Sequence, residues 1–265
     1  MPSTKLKKQS KLNAPFPWVG GKRLLRESII AKIPNHRCYV EPFAGAAWVY
    51  WGKQPSEIEV INDIDGNLTN LYRQIQTNVE AFYEKVWYLL VSREEYHRYL
   101  KLLTKKPESL TDLERAVYYY YIIKHTFGGR FGAGFAFSKT HPPKSTVGHD
   151  TLLALSERLQ NTYVDNLSYE RVLKNYDGKD TFFYCDPPYV AANDKSFYRY
   201  YFNEQHHIEL QEKLSKIEGK FLLSYDDVPM IRELYKDFTI EQTDPVQYSL
   251  SKKRQVKKEL LIRNY

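Results

Sequence analysis

Cysteine is scarce in this 265-residue sequence, which has only Cys38 and Cys185, each inside an apolar run typical of a strand. One isolated pair provides neither a disulfide framework nor the spacing of metal ligands, so we expect no metal site and a reducing compartment, the cytoplasm. No apolar run approaches the ~18 residues that a membrane helix needs. No charged and then apolar leader is visible either, so we expect no membrane association.

Positive charge and aromatic rings are abundant instead. Lys and Arg number 39 against 32 Asp and Glu, a net charge of +7, and aromatic residues make up 15% of the chain. This combination is typical of proteins that bind a polyanion and stack on its bases. A basic enzyme of another kind fits these totals equally well. The length allows one core with an elaboration, or two modest domains packed together.

The most informative motif ends a strand-like run. Thr181–Cys185 is β-branched and aromatic, and Pro187 and Pro188 cannot continue a strand interior. Asp186 is therefore expected at a strand's carboxyl end, where open α/β sheets bind their ligands. Its carboxylate, the carbonyl of Pro187 and the flat ring of Tyr189 would form a pocket for a planar group that bears an NH2. An ordinary strand-ending turn is the alternative.

The first ordered stretch follows a basic tail, residues 1–12, that is predicted to be mobile. Gly20 and Gly21 permit close approach of the backbone to a ligand, and an amphipathic helix is predicted from Lys22 towards residue 33. A cation in the first turn opposes the helix dipole, so we interpret Lys22 as a residue that binds a ligand carboxylate. The alternative is a glycine-rich turn with a solvated lysine.

Residues 38–51 predict a strand, a glycine turn and an apolar helix, the opening of a Rossmann-like nucleoside-binding unit without the three-glycine dinucleotide fingerprint. The next predicted strand, residues 57–65, ends in acids. Asp63 follows Gly45 by 18 residues, close to the spacing of ~20 that places an acid on ribose hydroxyls. Asp65 precedes a helical pattern and is interpreted as its N-cap.

The alternation of strands and helices lapses over residues 79–156, in which 79–103 and 111–125 are predicted to be helical. Residues 125–144 hold four glycines and four phenylalanines. This composition favours a hairpin or loop that enters a nucleic-acid groove, with a disordered insert as the alternative. Six cations are predicted to contact nucleic acid: Arg130, Lys139 and Lys144 in this stretch, and Lys252, Lys253 and Arg254 in a later loop. We expect Arg130 to contact a base and the later loop to contact phosphates.

The alternation then resumes. The predictions are a helix over residues 152–159, strands over 162–164 and 221–225, a helix over 204–217 capped by Asn203, and a terminal strand pair over 238–242 and 259–262. We therefore divide the chain into the tail, a domain of alternating strands and helices over residues 13–78 and 157–265, and an insert over 79–156.

Four motifs, taken in order, resemble the N6-adenine DNA methyltransferases of the GATC-methylating (D12, or α) class. They are Trp18-Val-Gly-Gly-Lys22, Val40-Glu-Pro-Phe-Ala-Gly45, Asn62-Asp-Ile-Asp65 and Asp186-Pro-Pro-Tyr189, and the resemblance extends from residue 15 to residue 265. It implies a Rossmann-like α/β methyltransferase fold with a mixed sheet of about seven strands flanked by helices. It also implies that residues 13–78 and 157–265 form the catalytic and cofactor-binding domain and that residues 79–156 form a target-recognition insert. It also implies the cofactor S-adenosylmethionine, bound by Trp18, Lys22, Glu41, Phe43, Gly45, Asp63, Asp186 and Phe202.

The resemblance assigns catalysis to Asp186, Pro187 and Tyr189. The Asp186 carboxylate and the Pro187 carbonyl would accept the two N–H bonds of adenine N6, and Tyr189 would stack on the base after it leaves the duplex. One departure concerns Ala47, which stands where the family usually has a second glycine. This substitution predicts a weaker or slightly displaced cofactor.

Three functions are compatible with these residues. The first is site-specific adenine-N6 methylation of duplex DNA, and the second keeps the fold but methylates cytosine N4 or RNA. The third is a DNA-binding protein that has lost catalysis. The expected partners are double-stranded DNA and a cognate restriction endonuclease, and we expect a monomer in the cytoplasm of a prokaryotic or phage-infected cell.

Overall fold

The computed structural model describes residues 11–143, 146–190, 202–247 and 256–265. Most of the predicted tail and four predicted DNA contacts, Lys144, Lys252, Lys253 and Arg254, lie outside these ranges. The described chain forms a seven-stranded mixed sheet flanked by helices, which confirms the predicted Rossmann-like architecture. No helix within the described ranges is long and apolar enough to cross a membrane.

The strands are Cys38–Glu41 (β1), Ile58–Asn62 (β2), Thr162–Asp165 (β3), Thr181–Cys185 (β4), Lys220–Asp226 (β5), Thr239–Gln242 (β6), Val246–Gln247 (β7), Val256–Lys257 (β8) and Glu259–Arg263 (β9). The sheet has the order β3, β2, β1, β4, β5, β9, β6, and β7 pairs with β8 apart from it. β1 to β5 are parallel, whereas β9 is antiparallel to both β5 and β6. The predicted terminal strand pair is confirmed.

β1 and β4 lie side by side at the centre of the sheet and are buried at every residue. Continuous burial explains why both strands are mainly apolar and aromatic, with Glu41 as a buried acid at the end of β1. From β1 the chain continues to β2 and β3 on one side, and from β4 it continues to β5 on the other. The strand order therefore reverses between β1 and β4, and a crevice opens beyond their carboxyl ends.

The helices are Arg26–Ile30 (α1), Trp48–Gly52 (α2), Gly66–Thr77 (α3), Val79–Trp87 (α4), Arg93–Lys105 (α5), Asp112–Lys124 (α6), His149–Leu159 (α7), Tyr169–Tyr176 (α8), Glu204–Leu214 (α9) and Pro229–Leu234 (α10). Short 3-10 turns cover Pro107–Ser109 and Phe127–Gly129. Asn203 caps α9 as predicted, with its side chain accepting from His206 N at 3.0 Å.

Three predicted helix bounds were wrong. α1 begins at Arg26, because Gly20 has a left-handed backbone with φ +72° and residues 22–25 form a turn in which Leu25 N donates to Lys22 O at 3.1 Å. Lys22 therefore lies before the helix, and the argument from the helix dipole does not apply to it. The predicted helix over 79–103 is divided into α4 and α5 because Ser92 caps a new helix. α9 ends at Leu214 and not at residue 217.

The insert packs on the sheet domain. α6 contacts α3, α4 and α5, and α7 contacts α3 and α4. One continuous core contains Tyr39 and Phe182 of the sheet together with Tyr120 and Leu155 of the insert. The boundaries at residues 79 and 156 therefore do not coincide with a gap in packing, and the division into domains stays a prediction.

Residues 125–136 form a small hairpin, as predicted for the start of the glycine- and phenylalanine-rich stretch. Thr126 and Phe135 form an antiparallel bridge, and Ala136 N donates to His125 O at 2.8 Å. Gly128, Gly129, Gly132 and Gly134 all have positive φ. Glycine is favoured at such positions because a side chain strains this backbone, so the hairpin depends on the glycines that the sequence places there.

Candidate active site

A cavity of about 370 Å³ opens at the carboxyl ends of β1 and β4. Its volume falls in the range of small-molecule sites. Its lining includes all eight residues predicted to bind the cofactor, namely Trp18, Lys22, Glu41, Phe43, Gly45, Asp63, Asp186 and Phe202, together with Pro187 and Arg130. Tyr189 and Lys139 are not in this lining. The predicted cofactor residues, which are scattered along the chain, thus meet in one place.

The turn after β1 is shaped by its small residues. Gly45 has φ +48°, and a Cβ at this position would lie 2.6 Å from Trp18 Nε1. Its amide donates to Asp63 Oδ2 at 3.0 Å. Gly45 therefore lets the indole of Trp18 and the carboxylate of Asp63 approach the same turn from two sides, forming part of the cavity wall.

Asp63 and Asp65 divide two roles at the end of β2, as the sequence predicts. Asp63 lines the cavity, accepts the amide of Asp65 at 2.9 Å, and has its pKa raised to about 6 by burial. Asp65 caps α3 by accepting from Asn67 N at 2.9 Å and also accepts the hydroxyl of Tyr119 at 2.9 Å. Tyr119 belongs to α6, so an insert helix supports this edge of the cavity.

Aromatic rings form the opposite wall. Phe43 lies 5.3 Å from Tyr169 and 6.0 Å from Phe202 between ring centroids, and Phe202 stacks on His206 at 5.3 Å. The buried Tyr169 hydroxyl has no hydrogen-bond partner of normal geometry among the described residues. Such a wall is suited to a ligand with a flat or apolar part and a polar group near Tyr169.

Glu41 is the most deeply buried acid of the lining. Its Oε1 accepts the hydroxyl of Tyr39 at 2.6 Å and the amide of Tyr50 at 2.8 Å. Burial raises the pKa of Glu41 to about 8. Burial therefore favours the neutral carboxyl, while the hydrogen bonds from Tyr39 and Tyr50 favour the carboxylate.

Asp186 has a partner for each carboxylate oxygen. Lys22 Nζ lies 2.7 Å from the carboxylate, and Ser224 Oγ donates to Oδ1 at 2.8 Å. Burial raises the pKa of Asp186, while the charge and hydrogen bond of Lys22 oppose that rise. Lys22 is itself almost completely buried. Lys22, which the sequence predicts to bind a ligand carboxylate, thus forms an ion pair with Asp186 of the protein.

Tyr189 lies behind Asp186. Its ring is 4.8 Å from Lys22 Nζ and 5.8 Å from the ring of Tyr225. Its hydroxyl donates to Glu259 Oε2 at 2.5 Å. The ring therefore has neighbours from three distant segments of the chain, which fix its orientation.

The hairpin of residues 125–136 reaches the cavity through Gly129, Arg130 and Phe131. Phe131 stacks on Tyr119 with centroids 5.4 Å apart. Arg130, which the sequence assigns to a DNA base, therefore lies at the wall of the predicted cofactor site. Lys139 is exposed on the loop beyond the hairpin, as a phosphate contact would be.

Several residues of the site were not found from the sequence. Tyr119, Tyr169, Ser224 and Glu259 each contribute a contact. Tyr119, Ser224 and Glu259 lie in predicted helices or strands, but none of the four was named as a site residue. Tyr119 is one of four consecutive tyrosines, and nothing in their spacing distinguishes it. No group of three His, Cys, Asp or Glu side chains in the described ranges could hold a metal ion.

A nucleoside-sized cavity at the switch point of this sheet, with Asp186-Pro-Pro-Tyr189 at its edge, defines a Rossmann-like methyltransferase. The family model of the D12 class N6 adenine-specific DNA methyltransferases matches residues 18–247. The chain belongs to this family and is an enzyme that methylates adenine in DNA at specific sites.

Curated relatives match nearly the whole chain. The Type II methyltransferase M1.LlaDCHI of Lactococcus lactis subsp. cremoris is 27% identical over 98% of this chain and 99% of its own. The DNA adenine methylase of Escherichia coli (strain K12) is 26% identical over 85% of each chain. The DNA adenine methylase of Haemophilus influenzae is 26% identical over 93% of this chain and 92% of its own. The predicted family and function are confirmed.

Proposed function

We propose that the cavity binds S-adenosylmethionine and that Asp186, Pro187 and Tyr189 prepare an adenine for methylation at N6. The observation that supports this proposal most directly is the meeting of the Gly45 turn, Asp63 and Asp186 in one cavity. A nucleoside half fits against Phe43 and Phe202, with its ribose on Asp63. The methionine half would extend towards Asp186, where the reacting groups must meet.

The residues present are chemically suited to this cofactor. The Asp63 carboxylate can accept ribose hydroxyls, and the Tyr169 hydroxyl is a buried polar group without a partner of normal geometry in the described ranges. When bound, S-adenosylmethionine supplies an electrophilic methyl group. The protein supplies the position of the nucleophile, because adenine N6 is a weak nucleophile whose lone pair is delocalised into the ring.

Asp186 and Pro187 would act on that amine. If the Asp186 carboxylate and the Pro187 carbonyl accept its two N–H bonds, the nitrogen is drawn towards a tetrahedral geometry and its lone pair is directed to the methyl group. Ser224 holds the carboxylate in place for this contact, and Lys22 is its counter-ion before the amine arrives. Positioning and electrostatics then account for catalysis without a covalent enzyme intermediate. Tyr189 would stack on the flipped base.

Asp63→Ala and Asp186→Ala separate the two halves of this proposal. Asp63→Ala should weaken cofactor binding in calorimetry while leaving much of the salt-dependent DNA affinity. Asp186→Ala should lower single-turnover methylation by ~10²–10³, the usual loss for one preorganised electrostatic partner. The DNA substrate is a duplex with the site found by sequencing methylated bases in cells that express the protein. A near-native rate for Asp186→Ala would place catalysis elsewhere.

Further partners are part of the same proposal. A cognate restriction endonuclease is supported by the Type II name of the Lactococcus relative. We also propose that the protein acts as a monomer. We also propose the cytoplasm as the compartment, since the substrate is DNA and the curated relatives named above are bacterial.

A further inference from the structure

Glu259 is a buried acid beside the catalytic motif, although it lies beyond the residues that the family model matches. It is the first residue of β9. Because β9 is antiparallel to β5, its first residue lies at the carboxyl edge of the parallel strands, opposite Asp226. The backbone at this point is fixed by Thr243, whose amide donates to Glu259 O at 2.8 Å and whose hydroxyl accepts from Glu259 N at 3.0 Å.

The Glu259 carboxylate contacts two residues of the site. It accepts the hydroxyl of Tyr189 at 2.5 Å and lies 3.8 Å from Lys22 Nζ. The same lysine lies 2.7 Å from Asp186, and the side chains of Lys22 and Glu259 are only 3% and 6% exposed. One buried ammonium thus lies between the buried carboxylate of Glu259 and the partly exposed carboxylate of Asp186, closer to Asp186.

This arrangement matters for the reaction, and the argument rests on the proposed role of Asp186. An ammonium held tightly on Asp186 withdraws charge from the carboxylate that must accept the adenine amine. A second carboxylate offers the ammonium an alternative partner, since a shift of roughly 1 Å would bring it to the ~2.8 Å of a charge-assisted hydrogen bond with Glu259. Removal of the Lys22 charge alone would leave two negative charges close together, which is costly in a largely buried site.

We propose that Glu259 is a positioning residue for methyl transfer. Glu259 draws Lys22 away from Asp186 when the adenine amine arrives, and it holds the Tyr189 ring by accepting the tyrosine hydroxyl. It touches neither cofactor nor base in this proposal. Its effect reaches the reaction through Lys22 and Tyr189.

The pH dependence of the reaction gives this proposal a specific signature. The groups that act on Asp186 are Lys22, Glu259, Ser224 and Tyr184, with Glu41 and Tyr189 also within electrostatic reach. The negative charge of Glu259 raises the pKa of Asp186, and Lys22 lowers it. Loss of the Glu259 charge should therefore let Asp186 ionise at lower pH, even though the reaction becomes slower.

Glu259→Gln tests the proposal with little change in side-chain volume. Single-turnover methylation should fall by up to ~10²-fold, the loss that a misplacement of about 1 Å can cause. The acid limb of its pH profile should shift to lower pH, while the cofactor and DNA dissociation constants stay near those of the parent. The matched control is Glu241→Gln, an acid of the neighbouring strand β6 that pairs with Lys32 and Arg263 away from the cavity.

A double-mutant cycle identifies the route of the effect. If Glu259 acts chiefly through Lys22, Glu259→Gln should cost much less in a Lys22→Met background than in the parent. An equal fractional loss in both backgrounds, or an unshifted acid limb, would mean that Glu259 is only structural. A native rate and profile for Glu259→Gln beside an inactive Asp186→Ala would overturn this inference alone, whereas an active Asp186→Ala would remove the proposed function.

Discussion

At the scale of single residues, Ala47 is the position where local geometry and residue type disagree. Its backbone is left-handed, with φ +52° and ψ +41°, and among the described residues it is the one non-glycine with positive φ. It closes the turn after β1, with its amide donating to Ala44 O at 2.6 Å. The glycine that the family usually has at this position suits this backbone. Ala47 forms the same turn, but its side chain strains the left-handed backbone.

Ala47→Gly should change the free energy of unfolding by less than about 1 kcal/mol. Relief of the left-handed strain gains ~1–2 kcal/mol, but loss of a buried methyl costs ~0.8 kcal/mol and the greater freedom of glycine in the unfolded chain costs ~0.5–1 kcal/mol. Ala46→Gly is the matched control, because Ala46 is equally buried without a positive φ and should lose about 1–2 kcal/mol. Equal losses in urea unfolding of both variants would show that Ala47 is not strained.

At the scale of elements, the sequence predicted those parts of the site that follow from strand ends. Gly45, Asp63 and Asp186 each follow a buried strand, and adjacent parallel strands bring such residues together at one edge. Tyr119 and Glu259 could not be predicted in this way. Tyr119 reaches the site because α6 packs across α3, and Glu259 does so because β9 enters between β5 and β6. Both depend on packing between distant segments.

The start of α1 shows a second limit. The apolar spacing of residues 22–33 continues through a turn, and periodicity alone does not distinguish that turn from a helix. The position of Lys22 outside the helix alters its interpretation, from a cation that opposes a dipole to the counter-ion of Asp186. The functional role of Lys22 stays a prediction, and its partner in the structure is Asp186.

The hairpin of residues 125–136 should affect binding of the proposed cofactor through Gly129. A Cβ there would lie 2.7 Å from Pro17 O and 3.0 Å from Trp18 N, so Gly129→Ala should push the hairpin away from the cavity wall. We expect cofactor affinity to fall about tenfold or more, a loss of ~1.4 kcal/mol. Gly134→Ala is the control, because Gly134 also has positive φ but has no atom within 4 Å of the added Cβ. Equal losses in titration calorimetry would assign the effect to backbone strain and not to the contact with Trp18.

At the scale of the whole molecule, the described insert and sheet share one core. Tyr120 of α6 is 2% exposed and belongs to the same buried cluster as Tyr39 of β1 and Phe182 of β4. Tyr119 adds a hydrogen bond from the insert to Asp65 beside the cavity. An insert attached in this way acts as part of the fold, although the sequence suggests a separate unit where the alternation of strands and helices lapses.

Unfolding should therefore be a single cooperative transition. Tyr120→Ala removes a buried ring from the insert and should cost ~3–5 kcal/mol. If insert and sheet unfold together, the slowest amide exchange in β1 and β4 should accelerate by a factor that corresponds to the same loss. The control is Trp87→Ala in α4. Because Trp87 is 58% exposed, this substitution should leave the free energy of unfolding and the amide exchange rates near the parent values. Loss of protection in α6 and α7 alone, with the amides of β1 and β4 unchanged, would show instead that residues 79–156 unfold as a domain of their own.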